Sequence, residues 1–473
     1  MGDAASQNFD LIVIGAGPGG YVAARRAAQL GLKTALVEKD DRLGGTCLLR
    51  GCIPSKALIH AAEVWRTCQG GSRALGIEVD GARFDWGKVQ KRRALATTKG
   101  TKGVQLLMQN AGVEVIHGHG RLDGPGRVLV ESADGPRLLE AGKIVLATGS
   151  QIARLKGMEP DGVRILDSDQ LLELQEVPAS MVVLGAGAVG LELASVMQSF
   201  GCKVTLVELM DQVLPQEDPE VAEVVEKALA RQKMRVLTGT RARGVEKTAE
   251  GVRVTLVHAA SKEEQKVEAA TLLVAVGRKP VTRDLGLQST DAVANLKGFI
   301  QTDAMMETAQ PGLYAVGDIV STPQRAHVAS HEALVAVHHA AGKPLPPIHY
   351  RRVPICVYSH PEVASVGLLE KAARDAGHQV RVGRFPFAAL GKASILNEPH
   401  GFVKVVSDQD SGRVLGVHMV GPRVTELLAG AVTALGFEAT GEQWSEVIHP
   451  HPTLSEAVAE AVTAAGGLPR HGG

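Results

Sequence analysis

The sequence is poor in aromatic residues, has no excess charge of either sign and contains no long apolar run. Phe, Trp and Tyr together make up 3% of the 473 residues, so the core must be built from Ala, Val, Leu and Ile. Lys and Arg number 51, as do Asp and Glu, which excludes the basic surplus typical of nucleic-acid-binding proteins. Because no stretch reaches about 18 consecutive apolar residues, we expect no membrane-spanning helix.

The N-terminus and the cysteines lack the marks of a secreted protein. The first ten residues, MGDAASQNFD, have neither a basic segment followed by an apolar one nor the Arg-rich composition of a transit peptide. Five cysteines, an odd number in a long chain, argue against the disulfide framework of small secreted domains. We therefore expect a cytoplasmic protein. At about 150 residues per domain, the 473 residues also predict about three domains.

Glycine, in contrast, is abundant, and part of it falls in a duplicated segment. Glycine accounts for 54 of the 473 residues, well above the norm of about 7%. Residues 10–39 and 180–209 share an apolar strand, a G-x-G-x-x-G turn, a helix of small residues and a second strand that ends in an acid, Glu38 or Glu208. Because all four parts occur twice, we interpret them as two dinucleotide-binding turns rather than two structural turns without a ligand.

The three glycines of each turn have different expected roles. The first permits a tight turn, the second lets the backbone approach a pyrophosphate, and the third lets the helix pack closely on the strand. The helix N-terminus offers N–H groups to the phosphates, and the acid accepts hydrogen bonds from a ribose. These glycines are Gly15, Gly17 and Gly20 in the first copy and Gly185, Gly187 and Gly190 in the second. No Arg or Lys directly follows Glu208, which favours NAD over NADP.

The position of the second copy predicts one nucleotide domain inserted into another. It lies between two segments, ATGS (147–150) and AVGRKP (275–280), that each follow an apolar strand. A Pro-rich stretch at 342–354 precedes alternating segments typical of antiparallel strands. We therefore expect the α/β class, with two nested Rossmann-like dinucleotide-binding domains and a C-terminal α+β domain, divided into 1–150, 151–278 (inserted), 279–350 and 351–473.

Two cysteines, Cys47 and Cys52, stand close together after the first nucleotide unit, in CLLRGCIPSK. A helix pattern begins near Cys52, and a helix N-terminus lowers the pKa of a thiol. In a reducing compartment such a pair is more often redox-active than structural. No second Cys pair or His cluster follows at ligand spacing, so we expect no metal site. The other cysteines are interpreted as buried small hydrophobic residues: Cys68, Cys202 and Cys356.

Taken together, these motifs resemble the pyridine nucleotide–disulfide oxidoreductases, in particular the branch that oxidises dihydrolipoamide. The resemblance spans nearly the whole chain and includes the cysteine segment (44–63), both glycine turns, AVGD (315–318), SHPEVASVG (359–367) and IHPHPTLSEAV (448–458). It implies oxidation of protein-bound dihydrolipoamide through FAD, with NAD as hydride acceptor. It also implies a homodimer formed by 351–473, FAD bound by 1–150 and 279–350, and NAD bound by 151–278. The implied partner is a lipoyl-bearing acyltransferase or a lipoyl carrier protein of a multienzyme complex, either a 2-oxo acid dehydrogenase or a glycine cleavage complex.

The resemblance also assigns roles to single residues. A His with a Glu five residues later could be a base and its orienting carboxylate or ordinary surface residues, and the resemblance makes His451 the acid/base and Glu456 its partner. It implies that this pair serves the active site of the other subunit. It further implies an ion pair between Lys56 and Glu192 beside the flavin. The flavin-contacting positions are Thr46, Gly149, Asp318 and Ala326, and the position that contacts the nicotinamide dinucleotide is Gly277.

Two alternatives remain. One is another disulfide reductase of the same family, although a glutathione-type enzyme would typically carry Lys-Lys after the cysteine segment, where this chain has Ser55-Lys56. The other is a non-catalytic flavoprotein scaffold, which loss of the Cys pair or of the His–Glu pair would favour. The chain departs from the family pattern in Leu48-Leu49-Arg50, where the family usually has an Asn after the first Leu, and in Gln324-Arg325, where it typically has apolar residues. Both departures bear on substrate preference and flavin-side polarity.

Overall fold

The computed structural model describes residues 7–467, in which strands and helices alternate over most of the length. Within that range the strands are β1 (Gln7–Ile14), β2 (Thr34–Glu38), β3 (Glu114–His117), β4 (His119–Leu122), β5 (Arg127–Ser132), β6 (Gly135–Leu146), β7 (Ser150–Ile152), β8 (Ile165–Leu166), β9 (Ser180–Leu184), β10 (Lys203–Val207), β11 (Arg235–Leu237), β12 (Thr240–Lys247), β13 (Val252–His258), β14 (Glu264–Ala269), β15 (Thr271–Val274), β16 (Arg278–Pro280), β17 (Leu313–Ala315), β18 (Ile355–Val357), β19 (Glu362–Gly367), β20 (Val380–Pro386), β21 (Phe402–Asp408) and β22 (Val414–Gly421). The α-helices are α1 (Pro18–Gln29), α2 (Gly45–Arg50), α3 (Cys52–Arg66), α4 (Trp86–Asn110), α5 (Ser168–Leu172), α6 (Ala188–Ser199), α7 (Pro219–Arg231), α8 (Ala326–Ala340), α9 (Glu370–Asp375), α10 (Gly391–Leu396), α11 (Val424–Gly436), α12 (Gly441–Ser445) and α13 (Glu456–Ala465).

The chain divides into two compact units. Unit one comprises the chain up to Ala57, Gln90–Ala153 and Gly277–Tyr350. Unit two comprises Leu58–Val89, Arg154–Val276 and the chain from Arg351 onward. The buried residues of both units are mainly Ala, Val, Leu and Ile, as the composition predicts. None of the helices described in residues 7–467 is both long and apolar enough to cross a membrane.

Unit one is built on a parallel sheet with an antiparallel extension. The parallel strands lie in the order β3-β2-β1-β6-β17. Strand β5 pairs antiparallel with the first half of β6, and β4 pairs antiparallel with β5. The segment Leu11–Ile14 of β1 is fully buried, as expected for a central parallel strand covered on both faces. Helix α1 follows β1 and packs against α8. This order is the doubly wound arrangement expected of the first nucleotide domain.

Unit two repeats that arrangement and adds a second sheet. Its parallel strands lie in the order β11-β10-β9-β15-β8, and β12, β13 and β14 form a separate antiparallel sheet. In both units the antiparallel strands come between the third and fourth strands of the parallel core along the chain. The outermost strand differs, because β17 follows its core strands in sequence whereas β8 precedes them. The expected pair of Rossmann-like sheets is confirmed.

The C-terminal part of unit two is an antiparallel sheet in the order β18-β19-β22-β21-β20. Helix α11 packs on β19 and β22, and α13 packs on β20 and β21. Their shared core includes Phe385, Val417, Leu428 and Val462. This α+β region confirms the expected class of the C-terminal segment, while the four boundaries expected from the sequence stay a prediction.

Candidate active site

In the first glycine turn, two of the three positions must be glycine because a side chain there would clash with the protein's own backbone. Gly15 has a left-handed φ of +99°, and a Cβ there would lie 2.4 Å from the carbonyl oxygen of Ala147. A Cβ on Gly20 would lie 1.6 Å from the carbonyl oxygen of Gly15. Only glycine fits these positions, because the turn folds back tightly and α1 packs against its own entry strand.

The second turn has the same construction. Gly185 also has a φ of +99°, and its Cβ would lie 2.5 Å from the carbonyl oxygen of Ala275. A Cβ on Gly190 would lie 1.9 Å from the carbonyl oxygen of Gly185. The two copies seen in the sequence therefore have the same backbone conformation and the same close contacts in the structure.

The middle glycine of each turn has a different explanation. Gly17 and Gly187 both have a φ of −70°, which any residue can adopt. A Cβ on Gly17 would meet only the Cα of Gly45, at 3.9 Å, and apart from chain neighbours no described atom lies within 4 Å of a Cβ on Gly187. Neither the backbone nor the packing of the described chain thus requires glycine here. The open space above each middle glycine fits a ligand that approaches the backbone.

The helix that follows each turn begins at this open space. Gly17 is the N-cap of α1 and Gly187 that of α6, and no side chain among the described residues caps either helix. The first-turn N–H groups therefore face the same space and carry the positive end of the helix dipole. This arrangement fits the pyrophosphate of a dinucleotide.

The acid at the end of the second strand is held in the same way in both copies. Glu38 accepts the backbone N–H of Ala16 at 2.7 Å and that of Asp40 at 3.0 Å. Glu208 accepts the N–H of Ala186 at 2.7 Å and that of Met210 at 3.0 Å. Each carboxylate oxygen keeps a further lone pair, so binding to a ribose hydroxyl stays a prediction compatible with this geometry.

The two cysteines lie on successive helices of unit one. Cys47 is in α2, and Cys52 is the first residue of α3. Both are thiols, and their side chains are hydrogen-bonded to each other. The hydrogen bond from Cys52, together with burial, raises the pKa of the Cys47 thiol, and the charge of Lys56 opposes this rise. The arrangement favours the protonated thiol of Cys47, while the position of Cys52 at the start of α3 is one that stabilises a thiolate.

The thiol pair adjoins the first glycine turn. Gly45, two positions before Cys47, is so close to the turn that a Cβ on it would lie 2.5 Å from the Cα of Gly17. On the other side of the turn, burial and the two sulfurs raise the pKa of Tyr21, which is in α1. A nucleotide bound at the first turn therefore has a dithiol beside its binding loop.

A chain of polar contacts joins two of the expected flavin-contacting residues. The carboxylate of Asp318 accepts the hydroxyl of Ser150 at 2.5 Å. Arg278 donates from Nε to the Ser150 hydroxyl at 2.7 Å and from an Nη to the Ser150 carbonyl, also at 2.7 Å. The same guanidinium donates to the Thr46 hydroxyl at 3.4 Å, directly before Cys47 in the chain. Asp318 and the cysteine segment are thus linked through one arginine.

Sequence reasoning missed Arg278 and Ser150 as site residues. The signal lay in the two segments that flank the inserted region, because β7 and β16 pair with each other and bring Ser150 opposite Pro280. That pairing joins residues far apart in the chain. It could be predicted only by recognising that the outer domain continues after the inserted one and that the two flanking segments then become neighbours. Gly149 and Gly277 in these segments have left-handed φ values of +71° and +116°.

The chain's departures from the family pattern also make contacts at this site. Arg50, between the two cysteines, forms an ion pair with Asp40, which ties the end of α2 to the segment after Glu38. Gln324 donates weakly to the backbone carbonyl of Asp318, at 3.4 Å. Arg325 is the N-cap residue of α8, and Ala326 is the first residue of that helix.

In unit two, the expected base and its partner are hydrogen-bonded. His451 Nδ1 lies 2.8 Å from one carboxylate oxygen of Glu456, and the other oxygen accepts the Thr453 N–H at 2.8 Å. Burial tends to raise the pKa of Glu456, but the bonds from Thr453 and His451 outweigh it and lower that pKa. The His451 side chain is 80% exposed. Glu456 therefore stays a carboxylate that orients the ring, with the other ring nitrogen directed to solvent.

The second expected pair spans the two units. Lys56 belongs to unit one and lies near the thiols, whereas Glu192 belongs to unit two. Glu192 is buried in α6 and accepts the backbone N–H of Tyr358 at 3.0 Å. The Lys56–Glu192 ion pair stays a prediction. Within residues 7–467, no group of three or more His, Cys, Asp or Glu side chains is arranged to hold a metal ion.

Comparison with protein families places these features in context. Residues 9–333 match the family described as pyridine nucleotide-disulphide oxidoreductase. Residues 353–462 match the dimerisation domain of the same family. The two matches together cover most of the chain.

Individual proteins are similar over nearly the full length. A dihydrolipoyl dehydrogenase of Bacillus subtilis is 42% identical over 472 residues, covering 98% of this chain and 99% of that protein. Dihydrolipoyl dehydrogenase 3 of Pseudomonas aeruginosa is 44% identical, covering 96% of this chain and 97% of its own. The solved structure of LpdA from Mycobacterium tuberculosis has a TM-score of 0.89 and 28% identity, covering 97% of this chain and 99% of that one.

Proposed function

The chain belongs to the pyridine nucleotide-disulphide oxidoreductase family, and we propose that it oxidises protein-bound dihydrolipoamide to lipoamide, with FAD as cofactor and NAD⁺ as hydride acceptor. One observation carries the proposal: a hydrogen-bonded pair of thiols, Cys47 and Cys52, adjoins a glycine turn shaped for a dinucleotide. Relatives at 41–44% identity that are named dihydrolipoyl dehydrogenase support the choice of substrate.

The residues of unit one fit FAD. The open space above Gly17, the uncapped α1 N-terminus and the fixed carboxylates of Glu38 and Asp318 suit a pyrophosphate and sugar hydroxyls. In unit two, Gly187 and Glu208 offer the matching features to NAD. Bound FAD supplies a carrier that takes the electron pair of a dithiol and passes it to a nicotinamide. The other proposed contacts are Gly15, Gly20, Thr46, Gly149 and Ala326 for FAD, a Lys56–Glu192 ion pair beside the flavin, and Gly185, Gly190 and Gly277 for NAD.

The chain's own part of the reaction is thiol–disulfide exchange. One substrate thiolate attacks the Cys47 sulfur of a Cys47–Cys52 disulfide, forming a substrate–Cys47 bond and releasing Cys52 as a thiolate. The second substrate thiol then attacks the substrate sulfur of that mixed disulfide, which closes lipoamide and releases Cys47. The substrate dithiol loses two electrons and two protons, and the cysteine pair gains the electrons. Cys52 is suited to leave because the α3 N-terminus stabilises its negative charge.

His451 takes the proton from the substrate thiol in this scheme. Glu456 accepts from Nδ1, which leaves the other ring nitrogen able to act as the base. The exposure of His451 and the match to a dimerisation domain support a role in the active site of the other subunit of a homodimer.

The proposal extends to organisation and partners. Residues 1–150 and 279–350 bind FAD, 151–278 bind NAD, and 351–473 form the dimer interface. The partner is a lipoyl-bearing acyltransferase or a lipoyl carrier protein, and the similarity to bacterial relatives supports a cytoplasmic location.

The direct test compares two activities of the purified holoenzyme: NAD⁺-linked oxidation of dihydrolipoamide and NADPH-linked reduction of glutathione disulfide. We expect the first to dominate and to be abolished in Cys47→Ser, because serine cannot form the mixed disulfide. Cys68→Ser is the matched control, since Cys68 lies in the turn after α3 and outside the thiol pair. Faster glutathione reduction, or dihydrolipoamide oxidation retained by Cys47→Ser, would contradict the proposal.

A further inference from the structure

A carboxylate in α8 that the proposed reaction does not use is completely buried. Glu332 has no exposed surface, and both of its oxygens are engaged within unit one. One oxygen accepts the backbone N–H of Gly317 at 2.6 Å. The other accepts the hydroxyl of Tyr350 at 2.8 Å. A buried carboxylate is costly unless such bonds compensate for lost hydration, so its presence needs a reason.

The backbone that Glu332 holds belongs to the turn that presents Asp318. Gly317 has a left-handed φ of +76° and begins the 3₁₀ turn Gly317–Ile319. A Cβ on Gly317 would lie 3.0 Å from the Cβ of Ala329, so α8 packs directly behind the turn. Burial, with a contribution from the charge of Asp318, raises the pKa of Glu332, while the Gly317 and Tyr350 bonds lower it.

Asp318 is therefore fixed from two sides. Ser150, itself held by Arg278, donates to its carboxylate. Glu332 fixes the peptide group that immediately precedes it. A carboxylate that must meet the hydroxyls of a sugar-alcohol chain gains affinity when its backbone is held in place beforehand.

We propose that Glu332 is a positioning residue of the FAD site: it holds the Gly317–Asp318 turn in the binding geometry without touching the cofactor. The inference rests on the proposed function, since it takes FAD as the ligand of Asp318. If Glu332 has this role, retention of FAD depends on a buried side chain that does not itself contact the cofactor.

Unit one offers a closely matched control. Glu307 also accepts the backbone N–H of a left-handed glycine, Gly312, at 2.7 Å. Gly312 stands just before β17, whereas Gly317 stands just after it. The two carboxylates thus make the same kind of bond at opposite ends of one strand, and only Glu332 fixes Asp318.

The experiment measures FAD release from the full-length holoenzyme by the rise in flavin fluorescence after dilution, and the melting temperature with and without FAD. Glu332→Ala should release FAD at least about tenfold faster, because a hydrogen bond to a charged group is lost. Glu332→Gln should stay within about threefold of wild type, because its amide oxygen can still accept the Gly317 N–H. Glu307→Ala should lower both melting temperatures but leave release of FAD unchanged.

The outcomes separate this inference from the proposed function. FAD release from Glu332→Ala at the wild-type rate, or equal acceleration by Glu307→Ala, overturns the positioning role. If Glu332→Ala does not fold, Glu332→Asp and Glu307→Asp decide, because the shorter side chain withdraws the acceptor from the glycine N–H in both: a smaller stabilisation by FAD in the former supports the role, and equal stabilisation overturns it. Wild-type protein that binds no FAD would instead overturn the proposed function.

Discussion

The two glycine turns of this protein are nearly identical in geometry, but only the first lies beside a pair of thiols. In both, the first and third glycines are required by close backbone contacts, and the acid makes the same two hydrogen bonds. Both middle glycines leave room for a ligand, but a Cβ on Gly17 would lie 3.9 Å from the Cα of Gly45 in the cysteine segment, whereas one on Gly187 would meet no described atom within 4 Å apart from chain neighbours. Under the proposed function, the same nucleotide-binding element has two uses: one copy holds FAD beside a redox-active pair, and the other holds the final acceptor, NAD⁺.

The largest effect should come from the third glycine of each turn. Gly20→Ala and Gly190→Ala place a Cβ 1.6 Å and 1.9 Å from a carbonyl oxygen, so the helix must shift. We expect each to lower the free energy of unfolding by about 3 kcal/mol or more, measured by denaturant unfolding. The controls are Gly103→Ala in α4 and Gly430→Ala in α11, where a Cβ meets open space and alanine favours the helix. Equal stability of all four variants would contradict the close packing.

The middle glycines should separate binding from stability. Gly17→Ala and Gly187→Ala meet no close contact within the described chain, so the unfolding free energy of the cofactor-free protein should change by less than about 1 kcal/mol. Because the new methyl group occupies the space for a pyrophosphate, Gly17→Ala should lose FAD, and Gly187→Ala should retain FAD but show a raised KM for NAD⁺. Flavin absorbance and steady-state kinetics distinguish them. The same phenotype in both variants would show that the two turns do not bind different nucleotides.

A smaller effect should appear in the reactivity of the thiols, which only the first turn has beside it. Cys52 raises the pKa of Cys47 through a hydrogen bond and through its charge. Cys52→Ala removes both contributions, so the pKa of Cys47 should fall and its alkylation should begin at lower pH. Mass spectrometry of iodoacetamide-treated reduced protein across a pH series gives the profile, with Cys68 as internal reference. A profile shifted to higher pH would contradict the hydrogen-bonded pair.

The sequence was most informative where short-range geometry determines the residue. Gly15 and Gly185 need a left-handed φ, and the spacing of their motifs predicted both turns and the Rossmann-like sheets. The His451–Glu456 contact lies within five residues, so it could also be expected from the sequence.

Contacts between distant segments could not be predicted in this way. The contacts of Arg278 with Thr46 and Ser150 depend on the pairing of β7 with β16. The contact of Glu332 with Gly317 depends on the packing of α8 behind the turn. The segment Leu58–Val89 belongs to unit two, where Phe84 and Trp86 pack edge-on against Phe200 and Trp65 packs on Phe84. In a chain with so few aromatic residues, that cluster had no sequence signal.

In the proposed function, the first nucleotide site works with a second redox centre, the Cys47–Cys52 pair. Anaerobic titration of the oxidised holoenzyme with dithionite, followed by flavin absorbance, tests it most directly. We expect each wild-type subunit to take up two electron pairs, one for the disulfide and one for the flavin, and Cys47→Ser to take up one. Uptake of a single electron pair by both proteins would contradict it.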